Sequence, residues 1–245
     1  MKKIILSGLM ALSLFASDKM LSKTEINTVL ESTPIYNQLA PQIKSGKIKT
    51  KATKKDGFYI IELDTPRGKG LLYITADKKY TILGRVLKSN GQMLVPNFPK
   101  HAEIIKKGVM FTFGKGKKEL YLVTDPECPF CREMEREKRN LLAKDYTVHV
   151  ILMPLPFHKY AKPMSYYILA GKTDQERAKR MQKTLLGGNE WKKFHPTKEQ
   201  IKKFNTELAK AKKAANELGA QGTPSVYDKN FNPIPWPKLG EKKWV

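Results

Sequence analysis

Residues 120–131 read LYLVTDPECPFC, and this stretch decides the fold. Its apolar first half predicts a β-strand over 120–124, and apolar residues at helical spacing after it predict a helix over about 128–144. Cys128 and Cys131 lie where the strand gives way to the helix, and they are the only two cysteines of the 245-residue chain. The sequence therefore places two thiols about one turn apart at a helix N-terminus.

The position of the two cysteines has a chemical consequence. A thiol at a helix N-terminus faces unpaired backbone N–H groups and the positive end of the helix dipole, and both favour the thiolate that attacks disulfides. Pro129 suits the first helical turn, where its missing N–H costs nothing. Cys131 lies on the same side of the helix and can resolve a mixed disulfide on Cys128. A C-x-x-C in this position is typical of thioredoxin-like redox domains, so Cys128 and Cys131 are predicted to be catalytic.

Three other interpretations of the pair are open. A structural disulfide closing so short a loop would constrain the unfolded chain by only about 2 kcal/mol. A zinc site needs about four ligands, and the histidines show no matching paired spacing. The third interpretation is that the pair is two ordinary buried thiols. The strand-to-helix context favours redox chemistry over all three, with no metal and no cofactor expected. The four histidines are His101, His149, His158 and His195; His149, inside the strand after the helix, is expected to be a packed strand residue.

The N-terminus predicts export. Lys2 and Lys3 precede an apolar run from 4 to 16 that is too short to span a membrane comfortably, which is the outline of a signal peptide over 1–17. Leu14 or Phe15 would occupy the third position before the cut, so the cleavage site is a poor one and a retained anchor is the minor alternative. In an oxidising compartment, stabilising bridges usually come in larger numbers, so a single closely spaced pair favours exchange.

The chain is strongly basic. Its 46 lysine and arginine residues against 23 acidic residues give a formal net charge of +23. Nucleic-acid binding is one interpretation of such a charge. The lysines are spread along the whole chain without a nucleic-acid-binding motif, so we favour a solvated basic surface and expect no nucleic-acid partner. Acidic unfolded chains or anionic lipid would be attracted to it.

Before the redox domain, two segments are predicted. Residues 18–88 form a small α+β unit with a capping box at Ser22 and Glu25 and strand-like runs at 58–63, 70–75 and 80–87. A unit of this size has little to bury alone and would gain from pairing with a copy of itself. Residues 89–116 read as a linker with a short helix around 100–107, setting distance and angle between the domains.

The redox domain is predicted over 117–245. The strand at 120–124, the helix and a second strand at 146–153 make a β-α-β unit with parallel strands. A helical insertion over about 162–218 follows, with helices opening at Thr173 and Thr197. In thioredoxin-like folds a cis-proline before the third strand faces the reactive cysteine. Thr223-Pro224 lies at that place, and a cis bond is predicted there.

The chain resembles the DsbC/DsbG family of periplasmic disulfide isomerases over nearly its whole mature length. The residues that carry the resemblance are 72–75 through Gly84, 123–131 and 219–224, with the active-site run nearest the DsbG branch. The resemblance implies a periplasmic homodimer whose chains have an α+β two-domain architecture. Each chain would combine a small cystatin-like N-terminal dimerisation domain with a C-terminal thioredoxin-like α/β domain that carries a helical insertion.

The resemblance also implies roles for individual residues. Cys128 would attack and Cys131 would resolve, while Thr223 and Pro224 would hold the substrate chain beside the sulfur. Pro129 and Phe130, between the cysteines, are included among the substrate-binding residues. The chain departs from the pattern in two ways: it has no second, structural disulfide in the redox domain, unlike some family members, and it stops at Val245, which leaves little room for the usual C-terminal helix. Leu122 stands where thioredoxins proper carry a buried acid, a position that is also apolar in the family.

Several functions fit these residues. The first is a periplasmic thiol:disulfide oxidoreductase that isomerises or reduces disulfides of unfolded or misoxidised exported proteins and exchanges electrons with a membrane redox partner. The second is a dithiol oxidase, which uses the same chemistry in the other direction. The third is a dimeric periplasmic chaperone, in which the cysteines are incidental. The Pro-Phe dipeptide does not decide between the first two.

Overall fold

The structure, a computed structural model, describes residues 19–66, 68–89, 91, 93–96 and 98–241. The predicted signal peptide over 1–17 lies outside the described residues. The chain divides into two compact units, with the main boundary between Phe98 and Pro99. It is a mixed α+β chain with an N-terminal sheet and a second unit built on a separate sheet. In the described part of the chain, no helix is long and apolar enough to cross a membrane.

The first unit is a four-stranded sheet with the order β1-β2-β3-β4 and two helices. Apolar residues of β1 to β3 and of α1 form its core, which includes Leu30, Ile61 and Leu72. The bounds of its elements are α1 Lys23–Glu31, α2 Tyr36–Lys44, β1 Lys49–Lys55, β2 Phe58–Thr65, β3 Gly68–Thr75 and β4 Thr81–Leu83.

The start of α1 was predicted correctly and the last strand was not. Both hydrogen bonds of the Ser22/Glu25 capping box are present. The strand predicted over 80–87 ends at Leu83, because Gly84 takes a positive φ of 148° that breaks the ladder. The lysine-rich stretch at 49–55 forms the edge strand β1, which sequence patterning missed because lysines interrupt the alternation.

The second unit is a five-stranded sheet with the order β5-β7-β6-β8-β9. Strands β6 and β7 are parallel, as the predicted β-α-β unit requires, while β5, β8 and β9 run antiparallel to their neighbours. The central strands β6 and β7 are almost fully buried. The bounds of the strands are β5 Phe111–Phe113, β6 Lys118–Thr124, β7 Tyr146–Leu152, β8 Ser225–Asp228 and β9 Pro233–Ile234.

Five helices accompany this sheet, and their ends follow the predicted capping. Thr173 and Thr197 each accept a hydrogen bond at a helix start, the second within a complete capping box. Gly219 closes the longest helix in the left-handed conformation with φ 77°. The bounds of the helices are α3 Ala102–Lys107, α4 Pro129–Asp145, α5 Ala161–Leu169, α6 Asp174–Leu185 and α7 Lys198–Leu218.

The range predicted as a linker, 89–116, differs from the observed units. Helix α3 packs on α7, and β5 pairs with β7, so residues from 99 onward belong to the second unit. The three-residue strand β5 is too short to show a period in the sequence. Gly116 lets the chain enter β6 beside the end of α4, since a Cβ there would lie 1.9 Å from the carbonyl carbon of Asp145.

Candidate active site

The two cysteines lie at the start of α4, directly after the central strand β6. Cys128 is the N-cap of α4 in an extended conformation, and Pro129 occupies the first turn. Both cysteines are free thiols. Both residues are buried, with exposures of 4% for Cys128 and 2% for Cys131.

The surroundings of Cys128 stabilise its thiolate. The hydrogen bond from the Cys131 side chain is the largest influence, and the Thr223 side chain and the N–H groups of Cys131 and Phe130 add to it. Burial opposes them, and together they lower the pKa of the Cys128 thiol to about 5. At neutral pH, Cys128 is therefore a thiolate in the reduced protein.

The surroundings of Cys131 act in the opposite direction. Burial raises the pKa of this thiol, and the hydrogen bond to Cys128 raises it further. The backbone N–H of Asp125, 3.5 Å from the Cys131 sulfur, partly offsets these effects. Two thiols one turn apart are thus kept in different protonation states, which separates an attacking sulfur from a sulfur that holds its proton.

The loop before β8 closes the site on the other side of the sulfur. The Thr223-Pro224 peptide bond is cis, as predicted. The Cys128 thiol donates to the carbonyl oxygen of Thr223 across 3.3 Å. The Thr223 hydroxyl is buried without a hydrogen-bond partner among the described residues, so it can donate to the sulfur once Cys128 is a thiolate.

The two residues between the cysteines face outward. Pro129 is exposed, and Phe130 is 61% exposed although it is large and apolar. Of the residues predicted to bind substrate, Thr223 and Pro224 lie beside the sulfur of Cys128, while Pro129 and Phe130 lie on the surface next to it.

Asp125 is a site residue that the sequence interpretation did not single out. Its carboxylate is fully buried and accepts hydrogen bonds from the N–H of Glu127 at 2.8 Å and from the N–H of Leu155 at 2.7 Å. It also lies 2.8 Å from Nδ1 of His158, and its backbone carbonyl accepts from the N–H of Cys128. Asp125 therefore joins the turn before Cys128 to the loop that follows β7.

A second contact holds the same two segments together. The Glu127 carboxylate accepts a hydrogen bond from the N–H of Tyr160. The only signals in the sequence are a polar Asp-Pro-Glu run before Cys128 and a histidine in the proline-rich stretch 154–160, and neither indicates which residues meet.

The other histidines are not part of the site. His149 is a half-buried residue of β7, with Nδ1 3.2 Å from the Thr112 hydroxyl, in agreement with its prediction as a packed strand residue. Nδ1 of His101 lies 2.8 Å from a carboxylate oxygen of Glu217, a residue of α7. Among the described residues, no group of three or more histidine, cysteine, aspartate or glutamate side chains could hold a metal ion.

One family model matches a part of the chain. Residues 112–230 match the family described as a thioredoxin-like domain. This range begins in β5 and ends after β8, so the likeness covers the four strands β5 to β8 and includes the helices α5 to α7, which lie between β7 and β8. No curated protein matches the chain significantly.

Three solved structures illustrate the likeness. A thioredoxin-like oxidoreductase from Silicibacter pomeroyi DSS-3 is 15% identical over 55% of this chain and 88% of its own, with a TM-score of 0.44. Proteus mirabilis ScsC in a transitional conformation is 17% identical over 56% of this chain and 73% of its own, with a TM-score of 0.39. Helicobacter pylori DsbG is 14% identical over 78% of this chain and 99% of its own, with a TM-score of 0.39. At these values the likenesses do not extend to function, and they do not single out the DsbC/DsbG family.

Proposed function

We propose that this protein is a periplasmic thiol:disulfide oxidoreductase of the DsbC/DsbG type, which isomerises or reduces disulfides in exported proteins. The observation that carries the proposal is the position of Cys128 at the N-cap of α4, with its sulfur 3.3 Å from the carbonyl of Thr223 before the cis-proline. This arrangement stabilises a thiolate at the helix N-terminus and places the backbone carbonyl before the cis-proline beside it.

The first step is attack of the Cys128 thiolate on a substrate disulfide. A bond forms between the Cys128 sulfur and one substrate sulfur, the substrate S–S bond breaks, and the other substrate sulfur leaves as a thiolate. If a different thiol of the substrate then attacks the mixed disulfide at the substrate sulfur, a new substrate disulfide forms and Cys128 leaves as the thiolate. The substrate is then isomerised with no net transfer of electrons.

The second route uses Cys131. After its proton passes to the departing substrate thiolate, the Cys131 sulfur attacks Cys128 and closes the Cys128–Cys131 disulfide. The substrate gains two electrons and leaves as a dithiol, and the enzyme pair is oxidised. Burial raises the pKa of Cys131, so this step is slowed and the substrate's own thiols have time to act. A slow resolving step by Cys131 supports the proposed isomerisation over reduction.

One observation favours the oxidase alternative. A thiol pKa of about 5 at Cys128 stabilises the reduced pair and makes Cys128 a good leaving group, which is a property of oxidising pairs. In that direction the Cys128–Cys131 disulfide accepts two electrons from a substrate dithiol. A membrane redox partner that reoxidises or reduces the pair would then determine the direction in the cell.

The first unit offers a surface for the predicted homodimer. Strand β4 lies at one edge of its sheet, and the large apolar side chains of Tyr80, Leu83 and Leu87 around it are exposed. The opposite edge, β1, carries four lysines, which protect an edge against pairing. An isologous pairing through the β4 edge would bury these apolar side chains against a second copy.

Two cysteine variants test the proposal. Reactivation of a scrambled multi-disulfide protein should be lost in Cys128→Ser and retained in Cys131→Ser, whereas release of reduced insulin chains by the pre-reduced protein, with no other thiol added, should be lost in both. A reduction potential between about −200 and −120 mV is expected for the pair. Full reactivation by Cys128→Ser, or a potential below about −300 mV, would remove the proposed site.

A further inference from the structure

Exposed aromatic side chains are concentrated around the turn that carries Cys128. Among the described residues of the second unit, five large apolar side chains are exposed. Three are aromatic, at 61%, 77% and 43% exposure, and all three lie on segments hydrogen-bonded to 125–128 or within the C-x-x-C itself. The three are Phe130, Phe157 and Tyr160, called here the aromatic rim; the other two exposed side chains are Ile104 and Leu186.

The aromatic rim is held in a fixed register with Cys128. The ring of Phe157 packs on that of His158, with centroids 4.6 Å apart, and His158 contacts the buried carboxylate of Asp125. The N–H of Tyr160 donates to the carboxylate of Glu127, the residue before Cys128. Since Asp125 is fully buried, its contacts hold the loop 155–160 from inside the domain. The exposed rings of Phe157 and Tyr160 therefore keep a fixed position relative to Cys128.

Positive charge accompanies the rings. The ammonium group of Lys159 lies 5.2 Å from the ring centroid of Tyr160. Tyr160 also packs on Trp191 at 5.4 Å, over which Lys192 extends. Of the acidic side chains of these segments, Glu190 pairs with Lys183, and the half-buried Glu127 accepts from the Tyr160 backbone and keeps its charge. The surface therefore has aromatic rings at its centre and the two lysines Lys159 and Lys192 at its edge.

We propose that the aromatic rim binds an extended polypeptide segment of the disulfide substrate that carries an aromatic and an acidic side chain close to its cysteine. Exposed aromatic residues are frequent anchors of interfaces, and a polar edge around an apolar centre is their usual arrangement. The segment enters between the rim and the Thr223-Pro224 loop, so the rim selects which cysteines reach Cys128. This inference rests on the proposed thiol–disulfide exchange and names the sequence context of its substrates.

The test uses the reduced full-length protein and short peptides as substrates. Each peptide has one cysteine, and that cysteine is joined by a disulfide bond to a chromogenic thiol. Attack by Cys128 releases the chromophore and gives a second-order rate constant. The first peptide has Phe and Glu beside its cysteine, and the second has Ala and Gln at the same positions. For the unmodified protein, the first peptide should react about 5-fold faster or more, the discrimination expected of a buried aromatic anchor.

A variant and a matched control assign this preference to the rim. In the double variant Phe157→Ala/Tyr160→Ala, the ratio of the two rate constants should fall towards 1, and in Ile104→Ala, which removes an exposed apolar side chain on α3, it should not change. Equal rate constants for the two peptides with the unmodified protein would overturn the inference, as would an unchanged ratio in the double variant. The comparison of the two peptides with the unmodified protein needs no variant, so it tests the inference even if the double variant folds poorly.

The charge and the proposed function are tested by the same reaction. A third peptide with Phe and Lys beside its cysteine should react more slowly than the Phe and Glu peptide, and the difference should shrink at high salt. Equal rates for these two would overturn the acidic part of the inference. If the unmodified protein attacked no peptide and no small disulfide such as oxidised glutathione, the proposed function itself would fail, which differs from attack without preference.

Discussion

The low pKa of Cys128 is predicted to depend chiefly on Cys131. The hydrogen bond from the Cys131 thiol is the largest of the influences that lower it to about 5. A hydrogen bond to a charged group contributes about 1.5–3 kcal/mol, which corresponds to about 1–2 pKa units. In Cys131→Ala the pKa of Cys128 should therefore rise to about 6–7, and the thiolate fraction at about pH 5 should fall from one half to about one tenth or less.

The matched variant Cys131→Ser keeps a hydrogen-bond donor at the same place. Its hydroxyl should hold the pKa of Cys128 close to the value of the unmodified protein, since both variants lack the resolving sulfur and differ in the donor. The assay is the ultraviolet absorbance of the thiolate followed against pH, with the thermal midpoint of each variant measured in parallel. If the absorbance titrations gave the alanine and serine variants the same pKa for Cys128, the reasoning would be refuted. The N–H groups of Phe130 and Cys131 at the start of α4 would then be what stabilises the thiolate.

Four further predictions follow from other features of the structure. Because folding lowers the pKa of Cys128 from 9.0 to about 5, the thiolate stabilises the reduced fold most at high pH; this advantage over Cys128→Ser should disappear as the pH falls through about 5, measured by urea unfolding. Asp125→Asn should cost about 1–3 kcal/mol of unfolding free energy, because an amide nitrogen cannot accept from the donors that face the buried carboxylate; Asp228→Asn, whose half-buried side chain accepts from the solvent-exposed turn after β8, should cost less. Gly116→Ala should lower the thermal midpoint strongly, since its Cβ would meet the backbone of Asp145, whereas Gly70→Ala has open space and should change it little; similar midpoints would contradict the close approach. Leu83→Asp combined with Leu87→Asp should convert the proposed dimer to a monomer in light scattering, and a monomeric unmodified protein would remove that proposal.

The sequence predicted the local geometry of the two cysteines in more detail than it predicted the residues around them. A C-x-x-C between an apolar strand and an amphipathic helix specifies its own geometry, because the helix N-terminus, Pro129 and the one-turn spacing are all local. The capping boxes at Ser22 and Thr197 were predicted for the same reason, since each is formed by residues three apart. The cis bond at Thr223-Pro224 was predicted from joint context, because it occupies a fixed place in the fold.

Edges and short elements were predicted less well. Strand β5 has three residues, fewer than a period-2 pattern needs, and it was assigned to the linker. Strand β1 is rich in lysine because it lies at a sheet edge, and this composition hid it. Strand β4 is shorter than the apolar run 80–87, because the backbone at Gly84 turns away from the ladder.

The sequence by itself determined that two thiols stand at the start of a helix beside a thioredoxin-like sheet, because neighbours in the chain make that geometry. The tertiary structure alone decided what surrounds them. The contact between Asp125 and His158 joins residues 33 apart, and that between Cys128 and Thr223 joins residues 95 apart. No periodicity or local propensity encodes such pairs, since they meet only when the sheet places its loops at one edge. That meeting buries the two thiols, adds the contact of Thr223 to Cys128, and places the aromatic rim on segments joined to the turn before Cys128.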